Sequence, residues 1–157
     1  MIFLTHLLGG VLALVYLGDF FGIGSNAGGS EKVVLIMVSA LFALAPDIDT
    51  VKSKPGKLLQ PFSTVASFLF RHRGFLHSTI AATMVYFTVH YLVSAAIAAA
   101  AAIGYTSHLL LDALTKDGIT PLLPLSRRKL RGFIRTGGLL EKAVQAIMVI
   151  LLLFKLG

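Results

Sequence analysis

The chain has 157 residues, of which 56% are hydrophobic and 13% charged, with a formal net charge of +7 and a mean hydropathy of +0.85. A soluble domain carries about 25% charged residues, and here the apolar residues fall in long blocks instead of alternating, which excludes an ordinary soluble domain and points to an integral membrane protein. The absence of cysteine rules out disulfides and thiolate metal sites, so any metal must be held by nitrogen and oxygen ligands.

Taken in chain order, the first apolar block covers 2–17. It lacks a basic leader and a small-x-small cleavage site, so it reads as a retained first helix and not a signal peptide. A glycine-rich loop, 18–32, precedes a second block at 33–45, which Pro46 and Asp47 interrupt. Both blocks are short against the roughly 20 residues that span a bilayer, which implies local thinning or shallow insertion. The stretch 75–114 is long enough for two spans divided by a tight turn near 90–95, and a fifth block covers 139–154. No internal repeat is evident. The expected fold is all-α: a polytopic membrane protein of about five transmembrane helices in one bundle, with 1–157 forming a single membrane-embedded domain.

Five spans would put 46–74 and 115–138 on one face. The first carries Lys52, Lys54, Lys57, Arg71 and Arg73, and the second Lys116, Arg127, Arg128, Lys129, Arg131 and Arg135. The other face has only Lys32 and Lys155. By the positive-inside rule the basic face is cytoplasmic, with the N-terminus inside and the C-terminus outside. The positive charge thus has a topological origin. No aromatic or base-reading features accompany it, so nucleic acid is not an expected partner, whereas contact of 126–135 with anionic lipid headgroups is.

The polar residues most costly to place near a membrane converge on that same face. They are His6, Asp47, Asp49, His72, His77, His108, Asp112 and Glu141, with Asp117 beside them, while His90, Asp19 and Glu31 fall on the opposite face. His108 and Asp112 are spaced i, i+4 and project from one helical face, so imidazole and carboxylate can reach one cation together. Asp47-Ile48-Asp49 follows Pro46 and leaves the helix, where two carboxylates can flank a cation. In His72-Arg73-Gly74-Phe75-Leu76-His77-Ser78, Gly74 permits an unusual backbone conformation and Arg73 supplies a planar fork suited to phosphate. Each has a bland alternative: a surface pair at a helix end, a solvated turn, interfacial anchoring, or, for Ser78, a local cap. Glu141 beside Lys142 is equally readable as an acid favoured by the dipole of a helix start. Convergence at a single depth favours a metal site. The donors exceed the four of a tetrahedral zinc, so one or two divalent ions are expected, zinc first, with manganese or iron as alternatives.

At these residues the chain resembles the YdjM-type family of membrane-bound metal-dependent hydrolases. The matching pieces are Thr5-His6, Ala45-Pro46-Asp47-Ile48-Asp49, the HRGxxHS run at 72–78, and His108-x-x-x-Asp112 followed by Thr115 and Gly118. The family is distantly similar to zinc-dependent phospholipase C and P1-type nucleases. The resemblance implies His6, Asp47, His77, His108 and Asp112 as metal ligands, Asp49 and His72 as ligands or proton-handling groups, and Arg73 as a phosphate clamp. Glu141 joins the ligands on topology alone.

The leading expectation is therefore a metal-dependent hydrolase of a phosphoester, acting on a lipid-like substrate from the cytoplasmic leaflet, with Asp49 or His72 taking the proton of the attacking water. The chief alternative is a divalent cation or proton transporter, the default role of intramembrane ionisable residues. A metal-stabilised scaffold with a closed coordination shell is a third.

Overall fold

The computed structural model describes residues 1–49 and 75–156. These form five α-helices, α1 (Phe3–Phe20), α2 (Gly29–Phe42), α3 (Thr79–Leu92), α4 (Ala95–Ala113) and α5 (Leu139–Leu156), with a 3-10 turn at Ala45–Asp49 after α2. No strand occurs among the described residues, only two isolated bridges, Thr115 with Ile134 and Ile119 with Leu130. The described residues are all-helical, as expected. Two of the helices, α1 and α4, are long and apolar enough to cross a membrane. The other three fall short for separate reasons. At 14 residues each, α2 and α3 reach only about 21 Å. The 18 residues of α5 suffice in length, but Glu141, Lys142 and Lys155 interrupt its apolar run.

The element boundaries follow local chemistry. The stretch 75–114 divides at Val93 and Ser94, and Ser94 caps α4 by accepting from the Ile97 amide at 3.3 Å. Ser78 caps α3 by accepting from the Ala81 amide at 3.2 Å, so α3 starts at Thr79 and not at Phe75, and His77 lies just ahead of it. The alanine-rich first half of α4 combines the strongest helix former with the smallest apolar side chain, so neighbouring helices can approach it closely.

α4 is the central helix and packs on α1, α2 and α3, while α5 rests on α1. The closest approach joins α1, α2 and α4 through Gly10, Ser39 and Gly104. Ser39 Oγ donates to the Gly10 carbonyl at 2.9 Å, and a Cβ on Gly104 would run into the Ser39 backbone. Small residues at a helix contact are the usual device for packing where lipid supplies no hydrophobic drive between helices. After α4 the chain doubles back, and the amide and hydroxyl of Thr79 both donate to the Pro121 carbonyl, at 2.8 and 2.9 Å. Ile119 is thereby buried against Ala81, Ala82, Tyr105 and Leu109.

Candidate metal centre

The three small contact residues each lie one helical turn from a group at the site. Gly10 is four residues after His6 on α1, Gly104 four before His108 on α4, and Ser39 four before Ala43 at the end of α2. The close crossing therefore brings the imidazoles of His6 and His108 into a stack, with centroids 3.7 Å apart and 16° between planes. Both rings are fully buried. His77 arrives from the segment before α3, and its ring meets His108 edge-on with centroids 5.2 Å apart. Tyr105 fixes that segment by donating to the Leu76 carbonyl at 2.6 Å.

The polar atoms converge. His108 Nε2 lies 3.4 Å from His77 Nε2 and 3.5 Å from Asp112 Oδ2. His77 Nε2 is 3.8 Å from Asp112 Oδ2 and from Asp47 Oδ1. The other carboxylate oxygen of Asp112 is 3.3 Å from His6 Nε2 and is also contacted by the terminal amine of Met1. A tetrahedral zinc with ligands at 2.0–2.2 Å separates its ligand atoms by about 3.4 Å, so these spacings suit one shared cation. Two overlapping triads are close enough to hold an ion: His6, Asp47 and His108, and His77, His108 and Asp112.

The tautomer of His108 follows from its surroundings. Its Nδ1 lies 2.7 Å from the Ala43 carbonyl, and a carbonyl can only accept, so Nδ1 carries the proton and the Nε2 lone pair faces the cluster. An outer hydrogen bond of this kind is the usual orienting contact of a metal-binding histidine. Nδ1 and Nε2 of His6 and Nδ1 of His77 are buried without a hydrogen-bond partner among the described residues. Such atoms are expensive to leave unmatched, and a cation answers the need at His6 Nε2. The side chains of Asp47 and Asp112 remain 22% and 17% exposed, so the cluster is open on its carboxylate side. At Asp47 burial raises the carboxyl pKa, but the imidazoles of His77, His108 and His6 outweigh it and hold it below the usual carboxylate range.

The structure thus brings together His6, Asp47, His77, His108 and Asp112. Glu141, expected among the ligands, stands apart. It is fully buried, with Oε1 accepting from the Ile2 amide at 2.7 Å and Thr5 Oγ1 at 2.6 Å, and Oε2 from the Gly137 amide at 2.6 Å. These donors occupy both oxygens. Asp49 ends the 3-10 turn, while His72 and Arg73 lie outside the described residues. Sequence reasoning missed the supporting groups Gly10, Ser39, Ala43 and Gly104. The available signal was a glycine one turn from His6 and one turn from His108; Ser39 and Ala43 stand beside no histidine in the sequence.

A helical, apolar chain whose buried histidines and aspartates meet at one end of the bundle belongs to the class of membrane proteins with a candidate metal centre. The chain is a member of the YdjM inner membrane protein family, whose description matches residues 1–156. It is 34% identical over 144 residues to the uncharacterized protein YvsG of Bacillus subtilis (strain 168), covering 90% of this chain and 86% of that protein. It is 33% identical over 96 residues to the inner membrane protein YdjM of Escherichia coli (strain K12), covering 57% of this chain and 49% of that protein. No solved structure matches it.

Proposed function

We propose that the protein is a membrane-embedded metal-dependent hydrolase of phosphoesters, acting on a lipid-like substrate at the cytoplasmic face. One observation carries this reading: three imidazoles and two carboxylates, drawn from four parts of the chain, form two overlapping cation-sized triads that stay open on their carboxylate side. His77, His108 and Asp112 are its central donors, with His6 and Asp47 beside them, and zinc fits the nitrogen and oxygen set. Bound there, a divalent ion supplies a lowered pKa for water and charge stabilisation at a phosphoryl oxygen. The chain's own part is to hold the donors. The Ala43 carbonyl sets the His108 tautomer, and the α1–α4 stack excludes water from one side. Asp49 and His72 are the proposed proton acceptors and Arg73 the phosphate clamp.

The lipid-like character of the substrate has separate support. An apolar cleft of about 310 Å³ lies between α1, α4 and α5, lined by Gly9, Tyr16, Leu111, Met148 and Leu151 among others. It begins three residues beyond His6 on α1 and three beyond His108 on α4, so a chain in the cleft would leave its headgroup beside the cluster.

We further propose that all five helices span the inner membrane, α2 and α3 by local thinning, with the N-terminus and site cytoplasmic, the C-terminus outside, and 126–135 on anionic headgroups. A transporter site usually lies near the midplane on broken helices, whereas this cluster sits where α1 begins and α2 and α4 end. A purely structural ion would call for a closed shell, which the exposed carboxylate edges oppose.

The test is metal content by mass spectrometry on detergent-purified protein, wild type beside a His108→Ala, Asp112→Ala double variant, followed by turnover of phospholipids and lipid phosphates. One or two equivalents of metal, lost in the variant together with turnover, are expected. A metal-free protein after reconstitution with zinc, manganese or iron would refute the proposal.

A further inference from the structure

We infer that Glu141 is the positioning residue of the metal centre and sets the place of His6 through the first turn of α1; this rests on the metal-site reading above. Helix α1 has no cap of its own. Its N-cap is Ile2, which has no capping side chain, and its first turn holds no acid. Glu141 supplies both from α5. Its Oε1 takes the Ile2 amide and the Thr5 hydroxyl, and Thr5 Oγ1 in turn accepts from Gln145 Nε2 at 2.7 Å. Oε2 takes the Gly137 amide just ahead of α5. One carboxylate therefore caps the start of α1 and anchors the entry to α5, with the negative charge at the N-terminus of α1 where the helix dipole favours it.

His6 follows Thr5 directly. Neither of its ring nitrogens has a well-aligned hydrogen bond among the described residues, its nearest polar contact being Asp112 Oδ1, so no strong local bond aims the ring. What places it is the stack on His108 and the backbone of the turn that Glu141 clamps. A shift of that turn along its axis moves His6 Nε2 away from Asp112 Oδ1, now 3.3 Å distant, while His77, His108 and Asp112 stay on α4 and the segment before α3. Among the donors, Glu141 thus acts through His6, the one carried by α1, while the Met1 amine at Asp112 moves with the same turn.

Zn²⁺ titration of full-length protein in detergent tests this with wild type, His6→Ala, Glu141→Ala and the double variant. Loss of an outer-shell residue commonly weakens metal binding about 10- to 100-fold, and that loss is expected in Glu141→Ala. The double variant should bind no more weakly than His6→Ala, because coupled residues are non-additive. At saturating Co²⁺, the visible spectra of Glu141→Ala and His6→Ala should agree and differ from wild type. Wild-type affinity in Glu141→Ala, or losses that multiply in the double variant, would overturn the inference and leave the metal site standing. A wild type that binds neither ion would overturn the site itself. Thr5→Val keeps the residue's shape and deletes one donor, so if Glu141→Ala does not fold, the same cycle on Thr5→Val and His6→Ala decides.

Discussion

Gly104→Ala should damage a site it does not touch. A Cβ at this position would lie 2.7 Å from the Ser39 carbonyl carbon and 2.9 Å from its Cα, where ordinary contact begins at 3.4 Å. The obstacle is backbone, so it cannot rotate aside, and α2 must move away from α4. Overpacking of this kind costs about 1–3 kcal/mol. The movement also pulls the Ala43 carbonyl from His108 Nδ1, stretching a 2.7 Å bond beyond the normal range and leaving a buried carbonyl unmatched, which adds about 1–3 kcal/mol. Unfolding in mixed micelles should therefore report a loss of about 2–6 kcal/mol. Zinc titration should report affinity down about tenfold or more as the His108 tautomer is freed. Gly28→Ala is the matched control, since nothing lies within 4 Å of its added Cβ. Destabilisation with unchanged zinc affinity would refute the transmission from crossing to site; unchanged stability would refute the packing argument outright.

Further outcomes follow from the same geometry. Asp112→Asn keeps the shape but removes the charge that faces His6, His77 and His108, and mass spectrometry of the purified variant should find the metal lost. Chelation of wild type should lower its thermal midpoint, and restoring zinc at about 100 times its dissociation constant should return about 2.7 kcal/mol. Ser78→Ala removes the α3 cap and should reduce stability by about 1 kcal/mol. Tyr105→Phe, which deletes the bond to the Leu76 carbonyl, should weaken zinc binding through His77 in the same titration while helix content by circular dichroism stays unchanged.

Much of the fold was legible because the apolar blocks and their breakers are local signals. Pro46 closed the second apolar block, and the turn expected near 90–95 divided α3 from α4. The i, i+4 pair His108 and Asp112 was legible for the same reason, since helix geometry alone puts both on one face. What could not be read was which groups meet across helices. The single-depth argument put Glu141 with the histidines because both sit at the same level of the bundle. Depth does not fix rotation about the helix axis, and α5 turns Glu141 toward Ile2, Thr5 and Gly137. The Ala43 carbonyl was invisible for a related reason: a backbone acceptor carries no side-chain signature. Gly10 and Gly104 were ambiguous, because a glycine in an apolar helix is only a packing contact once its neighbour is known.

The crossing of Gly10, Ser39 and Gly104 also has a mechanical meaning. By its geometry it is a fulcrum for α1, α2 and α4, and the candidate ligands sit on the short arm. His108 is four residues from Gly104, about 6 Å along the axis, while Ala95 is nine residues away on the other side, about 13.5 Å. A bilayer that tilts α4 by about 5° about this point sweeps the far end of the helix by about 1.2 Å and the ligand by only about 0.5 Å. On the proposed spanning topology, a change in membrane thickness would be taken up where the helix carries no chemistry, leaving the spacing of the cluster shielded.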